Sequence, residues 1–318
     1  MKVIVLAGGP DAEREVSIMS GREIAAALRK LGRYEVDYRE IDRLQPGDLA
    51  AMKGDVVFPA LHGPWGEGGP LQALLEADGR PFVGAGSTAA AAAMDKARTK
   101  EIARELGIAT PDWQVLRSVD EPLETVQPPL VLKPLDDGSS VDVVICRDLP
   151  SVRRERERLL GRRTRLLVER FIPGRELTVG VIGDEVGSVI EIKPASEFYD
   201  YEAKYERDDT GYVVGPELPP GMTEALGEAS LRLFRALGVR DLARVDFRVD
   251  EVSDPANPSW WMLELNTMPG FTSHSLVPMG AAAGGVPMPE LCGRLVEFAL
   301  ERGSPSLHSS RGAPSGRK

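Results

Sequence analysis

Cysteine is nearly missing from this chain: Cys146 and Cys292 are isolated among 318 residues, with no C-x-x-C and no Cys/His spacing. Neither a disulfide framework nor a zinc site is suggested, and both residues read as small core side chains. Long apolar runs are missing too. None approaches the roughly 20 residues that a helical membrane span needs. Met1 to Leu6, with one Lys and no cleavage site behind it, reads as a buried first strand rather than a signal peptide. The expected location is therefore cytoplasmic, with no membrane partner. Positive charge is in deficit, 39 Lys and Arg against 49 Asp and Glu for a net charge of −10. That balance argues against non-specific nucleic-acid binding, while leaving room for a local basic pocket for an anionic small molecule. The common nucleotide fingerprints are absent as well. Gly8-Gly9-Pro10 cannot be written G-x-G-x-x-G, and no G-x-x-x-x-G-K-[ST] occurs.

What is present is ordinary globular composition, 42% apolar and 28% charged, in a chain long enough for two or three compact domains. The apolar run Val3–Ala7 predicts a buried parallel strand, followed by a helix from about Ser20 to Leu31. Strands at Tyr34–Ile41 and Asp55–Leu61, a helix at Gly69–Asp78 and the segment Pro81–Val83 continue an open α/β unit. In such a unit ligands gather outside the carboxyl ends of the strands, where Glu13 and His62 fall. Taken alone, each is more simply a turn residue or a satisfied polar group. Asp95 is the expected N-cap of a helix from Lys96 to Leu106, stopped by Gly107. Strand Leu130–Leu132 then runs into Lys133, the small-residue loop Asp136–Val141 and strand Val143–Cys146. Such a loop can wrap phosphates with backbone N–H groups, with Lys133 as a point charge beside it. The charged run Arg153–Arg165 reads as a solvated helix face. Strand Arg165–Phe171 follows, with Glu169 and Glu176 bracketing a turn where a base and a ribose could bind, and strands continue to Ile192. Phe198–Tyr205 reads as a functional loop, Thr223–Leu237 and Pro289–Glu301 as helices, and Ser304–Lys318 as a disordered tail.

The densest chemistry lies between Ala243 and Ser275. Both halves alternate with a period of two around a Pro- and Ser-containing break, which predicts a β-hairpin. Arg244 and Asp246 then share one face with Glu264 and Asn266, while Val245, Phe247, Leu263 and Leu265 point the other way. Two carboxylates and a carboxamide are hard oxygen donors of the kind that suits Mg²⁺ or Mn²⁺, and the arginine beside them implies an anion. A solvated hairpin face is the bland alternative. The Pro269-Gly270 turn and the polar residues from Thr272 to Ser275 weigh toward a site.

These residues resemble the D-alanine–D-alanine ligases of the ATP-grasp superfamily, from Lys2 to about Leu300. The resemblance rests on an ordered set: Ala-Glu-Arg-Glu-Val-Ser at 12–17, Ala-Leu-His-Gly at 60–63, Met-Asp-Lys at 94–96, Lys-Pro with Gly-Ser-Ser-Val, Phe-Tyr-Asp-Tyr-Glu-Ala-Lys-Tyr, Arg-Val-Asp, Glu-Leu-Asn-Thr, and Pro-Gly-Phe-Thr-Ser-His-Ser-Leu-Val-Pro. It implies an ATP-grasp fold of mixed α/β and α+β class. The division would be an N-terminal parallel domain over 1–93, a central subdomain over 94–180, a catalytic subdomain over 181–303 and the tail 304–318. It also implies ATP-dependent joining of two D-alanines through an acyl phosphate, in a cytoplasmic homodimer that supplies peptidoglycan precursors.

By the same resemblance, Asp246, Glu264 and Asn266 would hold two Mg²⁺ or Mn²⁺ ions. Lys96 and Lys133 would contact phosphates, Glu169 and the backbone near Arg170 and Ile172 the adenine, and Glu176 the ribose. Arg244 and the Gly270 N–H would stabilise the oxyanion. Glu13 would bind the first ammonium with His62 nearby, Ser275 the second carboxylate, with His274 beside it. Ser139 and Tyr205 would link to Glu13 when the 198–205 loop shuts, and Lys204 would reach the transferred phosphate. Tyr205 favours the dipeptide over D-alanyl-D-lactate. Three departures stand out: Asp142 replaces a glycine, so that it either weakens nucleotide binding or points outward; the 64–70 loop loses an acid and a hydroxyl; and Arg170 replaces a lysine. A different acceptor, such as D-serine or D-lactate, and a non-catalytic binder remain open alternatives.

Overall fold

The apolar run at the start of the chain becomes the centre of a parallel sheet. The computed structural model describes residues 1–138, 141–194, 210–254, 258–272 and 274–303. In it β1 (Lys2–Gly8) lies between β2 (Glu35–Ile41) and β3 (Val56–Pro59), parallel to both. Val3 through Ala7 are all buried, as a strand covered on both faces requires. Helix α1 (Arg14–Lys30) begins at Arg14 rather than Ser20. Two serines on its buried face hide its first turns from an apolar-period reading. Ser17 accepts from Gly8 N at 2.8 Å and donates to the Ala60 carbonyl at 2.6 Å, so its hydroxyl is at home in the core. Four helices follow: α2 (Gly63–Gly66), α3 (Pro70–Asp78), α4 (Ser87–Met94) and α5 (Lys96–Glu105). Asp95 caps α5 as expected, accepting from Arg98 N at 3.0 Å.

The second sheet comprises β4 (Trp113–Leu116), β5 (Leu130–Pro134), β6 (Val144–Cys146) and β7 (Leu166–Arg170), antiparallel in the order β4-β7-β5-β6. Helix α6 (Leu149–Leu160) seals it through Val152 and Leu159. The charged run is only partly the solvated face expected of it. Arg153 does pair with Glu157 at 3.2 Å in the open, but Arg156 is buried and donates to the carbonyls of Ser118 and Glu121. Its long stem and five donors let a guanidinium satisfy loop carbonyls that no backbone group reaches.

The third sheet runs β10-β9-β8-β11-β12, from β8 (Arg175–Ile182), β9 (Glu185–Lys193), β10 (Gly211–Val214), β11 (Leu242–Asp250) and β12 (Ser259–Asn266). Helix α7 (Met222–Ala236) packs on it together with α4 and α5, burying Val179, Val245, Phe247 and Leu233 in one core. Helices α8 (Leu276–Ala283) and α9 (Met288–Gly303) close the chain. Helix α9 packs onto α1, so that Leu291, Leu295 and Val296 share a core with Ile24 and Leu28, and Phe271 meets Phe58 edge-on at 5.9 Å. Arg302 ties this end down, donating to Phe82 O at 2.9 Å and pairing with Asp241, which accepts from Gly84 N at 2.7 Å. Among the described residues, no helix is long and apolar enough to cross a membrane.

Candidate active site

The expected hairpin is β11 and β12, and its register brings the oxygen donors together. Arg244 lies opposite Asn266 and Asp246 opposite Glu264. Beyond that pair the register shifts, and Phe247 faces Met262. The bulge corrects the expected alternation: Leu263 turns to the cleft, and Met262 takes its place in the core with Val245 and Leu265. One extra residue on one strand is enough to flip the faces of its neighbours beyond the bulge. Asp246 is buried, accepting from Arg244 Nε at 2.9 Å and Nη2 at 2.8 Å and from Thr178 Oγ1 at 2.6 Å.

On one side of the hairpin lies a polar hollow lined by Glu13, His62, Glu67, Arg244, Asn266, Gly270 and Ser275. Glu13 and His62 are there because they come after the ends of the first and third strands of the parallel sheet. Gly138 packs closely on Glu13: an added Cβ would stand 2.9 Å from its Oε2, so a larger residue there would have to turn the Glu13 carboxylate aside. His62 is fully enclosed. Its Nδ1 lies 3.0 Å from the Met268 carbonyl, which can only accept, so Nδ1 carries the proton and Nε2 faces Ser20 Oγ at 3.5 Å. Burial holds its pKa down at about 4, leaving the ring neutral. Gly270 stands over Ser275, whose Oγ accepts from Thr272 N at 2.8 Å, and His274 is exposed at the rim.

Glu67 is a member that sequence reasoning left out. It is buried, accepts from Gly63 N at 3.2 Å and Met268 N at 3.3 Å, and burial together with the Glu13 charge lifts its carboxyl well above the usual range. Its signal in the sequence was its place closing His-Gly-Pro-Trp-Gly-Glu at 62–67, the part of the family's loop pattern that this chain keeps.

On the other side lies a narrower slot lined by Val131, Val141, Phe171, Ile172, Leu263, Lys133, Glu169 and Glu176. Glu169 is buried between two lysines, Lys133 at 2.6 Å and Lys100 at 2.8 Å. Burial alone would raise the Glu169 pKa, but the two ammonium groups win and hold it below the usual value. Burial opposes the charge of Lys133 too, yet Glu169 and Glu264 keep its pKa above normal. Lys100 gives way. Burial, with the neighbouring Lys133 charge, pushes it down to about 8 against the pull of Glu169.

Lys100 and Arg248 are further omissions of the sequence reading. Arg248 donates to the Ile172 carbonyl at 3.2 Å and to Glu176 at 3.3 Å, and so places the two residues expected at the adenine and the ribose. Arg170 lies over the Trp261 ring at 4.4 Å, a stacking that a lysine, having no planar head, would not reproduce. Four residues, Lys96, Asp137, Gly138 and Glu264, line both hollows, so the two sides form one continuous cleft. Lys96 donates to the Asp137 carbonyl and lies 3.8 Å from Glu264.

Asp142 points outward. It sits at φ 60°, the left-handed conformation in which a glycine costs least, and its carboxylate meets Arg158, Arg162 and Arg163 at 3.1–3.3 Å, away from the cleft. Ser139, Lys204, Tyr205, the 198–205 loop and the tail 304–318 lie outside the described residues.

A family model described as D-ala D-ala ligase C-terminus matches residues 102–297. A D-alanine–D-alanine ligase from Dechloromonas aromatica is 41% identical over 303 residues, 94% of this chain and 97% of its own. The chain belongs to the D-alanine–D-alanine ligase family. The family member from Aquifex aeolicus is 39% identical over 293 residues, covering 92% of this chain and 98% of its own. Among solved structures, the D-alanine–D-alanine ligase of Bacillus anthracis, complexed with ATP, matches with a TM-score of 0.80 at 33% identity, over 95% of this chain and 98% of that one. That of Coxiella burnetii matches with a TM-score of 0.82 at 27% identity, over 95% and 94%. The expected ATP-grasp architecture, parallel N-terminal unit included, is the fold of this family member.

Proposed function

We propose that the protein joins two D-alanine molecules into D-alanyl-D-alanine at the expense of ATP, for cell-wall precursor synthesis in the cytoplasm and as a homodimer. One observation carries the reading: a polar hollow suited to amino acids and a slot with apolar walls and charged ends, suited to a nucleotide, meet at Lys96, Asp137, Gly138 and Glu264. Phosphoryl transfer from one to the other requires such a junction.

In this reading Glu13 binds the ammonium of the first D-alanine, with neutral His62 behind it. Lys96 and Lys133 hold phosphates, Glu169 and the backbone of Arg170 and Ile172 receive the adenine, and Glu176 takes the ribose hydroxyls. The carboxylate of the first D-alanine forms a bond to the terminal phosphorus of ATP as the bond to ADP breaks. The amine of the second D-alanine, its carboxylate held by Ser275 with His274 at the rim, then forms the amide bond as phosphate leaves. Arg244 and the Gly270 N–H stabilise the oxyanion between those states, where each preorganised donor is worth about 3 kcal/mol. Ser139 and Tyr205 would link to Glu13, and Lys204 would reach the transferred phosphate, when the 198–205 loop shuts water away from the acyl phosphate.

The donor set fits a hard divalent cation. Among the described residues no group of three or more His, Cys, Asp or Glu converges on a point, but Asp246, Glu264 and Asn266 supply two carboxylates and a carboxamide on neighbouring strands. Few protein oxygens plus substrate phosphates is the usual arrangement for Mg²⁺. Bound there, two Mg²⁺ or Mn²⁺ ions would neutralise the phosphate charge that develops in transfer.

Phosphate release measured with ATP, D-alanine and Mg²⁺, with the product weighed by mass spectrometry, tests the reading. Release is expected to require all three and to stop with chelator. Asp246→Asn and Glu264→Gln are each expected to lower kcat by about a hundredfold or more. The same assay with D-serine or D-lactate added beside D-alanine tests the acceptor: a product that incorporates either in preference to a second D-alanine, or ATP bound without turnover, would replace this assignment.

A further inference from the structure

We propose that Arg163 is a positioning residue that fixes, from outside the cleft, both flanks of the phosphate-binding segment, and that Asp142 is its necessary partner. The inference rests on the ligase reading only for the identity of the nucleotide's phosphates. Arg163 Nη1 lies 2.7 Å from Asp137 Oδ2, and Nη2 donates to Asp142 Oδ2 at 3.1 Å. One planar guanidinium thus spans the segment's entry and exit, as only a fork of donors can.

Each flank leads into the cleft. Asp137 accepts from Gly138 N through Oδ1 at 3.0 Å, and from Lys96 through its carbonyl. Gly138 abuts Glu13. On the exit side Val141 N donates to Gly138 O at 3.2 Å, and Val141 lines the slot. Around this core Arg158 and Arg162 also hold Asp142, and Arg165 reaches Asp136 at 3.1 Å and Asp95, the cap of Lys96's helix, at 3.5 Å.

A glycine at 142 would be relaxed at φ 60° but would offer nothing to bind. An aspartate accepts backbone strain and gains three cations. Burial would lift the Asp142 carboxyl, but Arg163 and Arg158 hold it below the usual range, so the network stays charged at neutral pH.

The test is calorimetric binding of Mg²⁺ with a non-hydrolysable ATP analogue, alongside KM and kcat. Arg163→Ala is expected to weaken nucleotide binding about tenfold, a shift carried by KM for ATP rather than for D-alanine. Asp142→Asn, which tolerates the same backbone, is expected to do likewise. The double variant should be no weaker than the worse single, because both remove one linkage. Arg163→Lys should rescue partially, and high salt should weaken wild-type binding more than that of the double variant. Arg153→Ala, on the open face of α6, should change nothing. Unaltered nucleotide affinity in Arg163→Ala, with only a lowered melting temperature, would overturn the proposal. Altered binding in a protein that makes no dipeptide would leave it standing and overturn the ligation instead.

Discussion

Lys100 and Glu169 meet at 2.8 Å where neither is open to solvent. Thr110 takes a further hydrogen bond from the same ammonium at 2.7 Å and passes its own to the Met262 carbonyl at 2.8 Å. Helix α5, the second sheet and the third sheet are thus joined through one lysine at the back of the slot.

Removing Lys100 should therefore act on the whole fold. Breaking a buried pair by deleting one member typically costs about 3–5 kcal/mol. Because Lys133 remains on Glu169, Lys100→Met is expected at the low end, about 3 kcal/mol, read as a lower denaturant midpoint at unchanged m-value. An unmoved midpoint would contradict the role.

His62 should make stability sensitive to acid. Its folded pKa of about 4 lies below the usual 6.5, so between these values the unfolded chain binds a proton that the folded chain refuses. Stability contributed by the neutral ring is present above 6.5 and is lost as pH falls toward 4, by about 3 kcal/mol at most. Urea unfolding followed across that window should show the decline, and His62→Gln should flatten it. A His62→Gln profile as steep as wild type would place the effect elsewhere.

Gly270 should set acceptor binding. A Cβ there would stand 2.9 Å from Ser275 Oγ, so Gly270→Ala must push the serine aside. The expected result is a KM for the second D-alanine raised about tenfold, with KM for ATP nearly unchanged. Equal losses for both substrates would argue against so local an effect.

Much of this site was legible because its residues follow strand ends and a period of two. Asp246, Glu264, Asn266 and Arg244 came out of alternation, and Glu13 and His62 out of their place after β1 and β3. The bulge after Asp246 was not legible, since nothing in Trp-Met-Leu-Glu marks an unpaired residue. Lys100, Glu67 and Arg248 were missed for a shared reason: their meaning lies in partners distant in the chain, such as Glu169 for Lys100. The spacing of Lys96 and Lys100, one helical turn apart on α5, was the available hint that both lysines share the inward side of the helix, Lys96 at the cleft and Lys100 buried behind it on Glu169. The first turn of α1 was hidden because its buried face carries Ser17, whose satisfaction depends on Gly8 and Ala60.

The shared core of α1 and α9 bears on how the molecule can be assembled. Residues made late in synthesis complete a core opened by the earliest: Ile24 and Leu28 pack with Val3 and Val5 from the start, but that core is whole only once Leu291 and Val296 arrive. A fragment cut after Ala93 would lack that late layer and present part of its apolar core to water, making it prone to self-association.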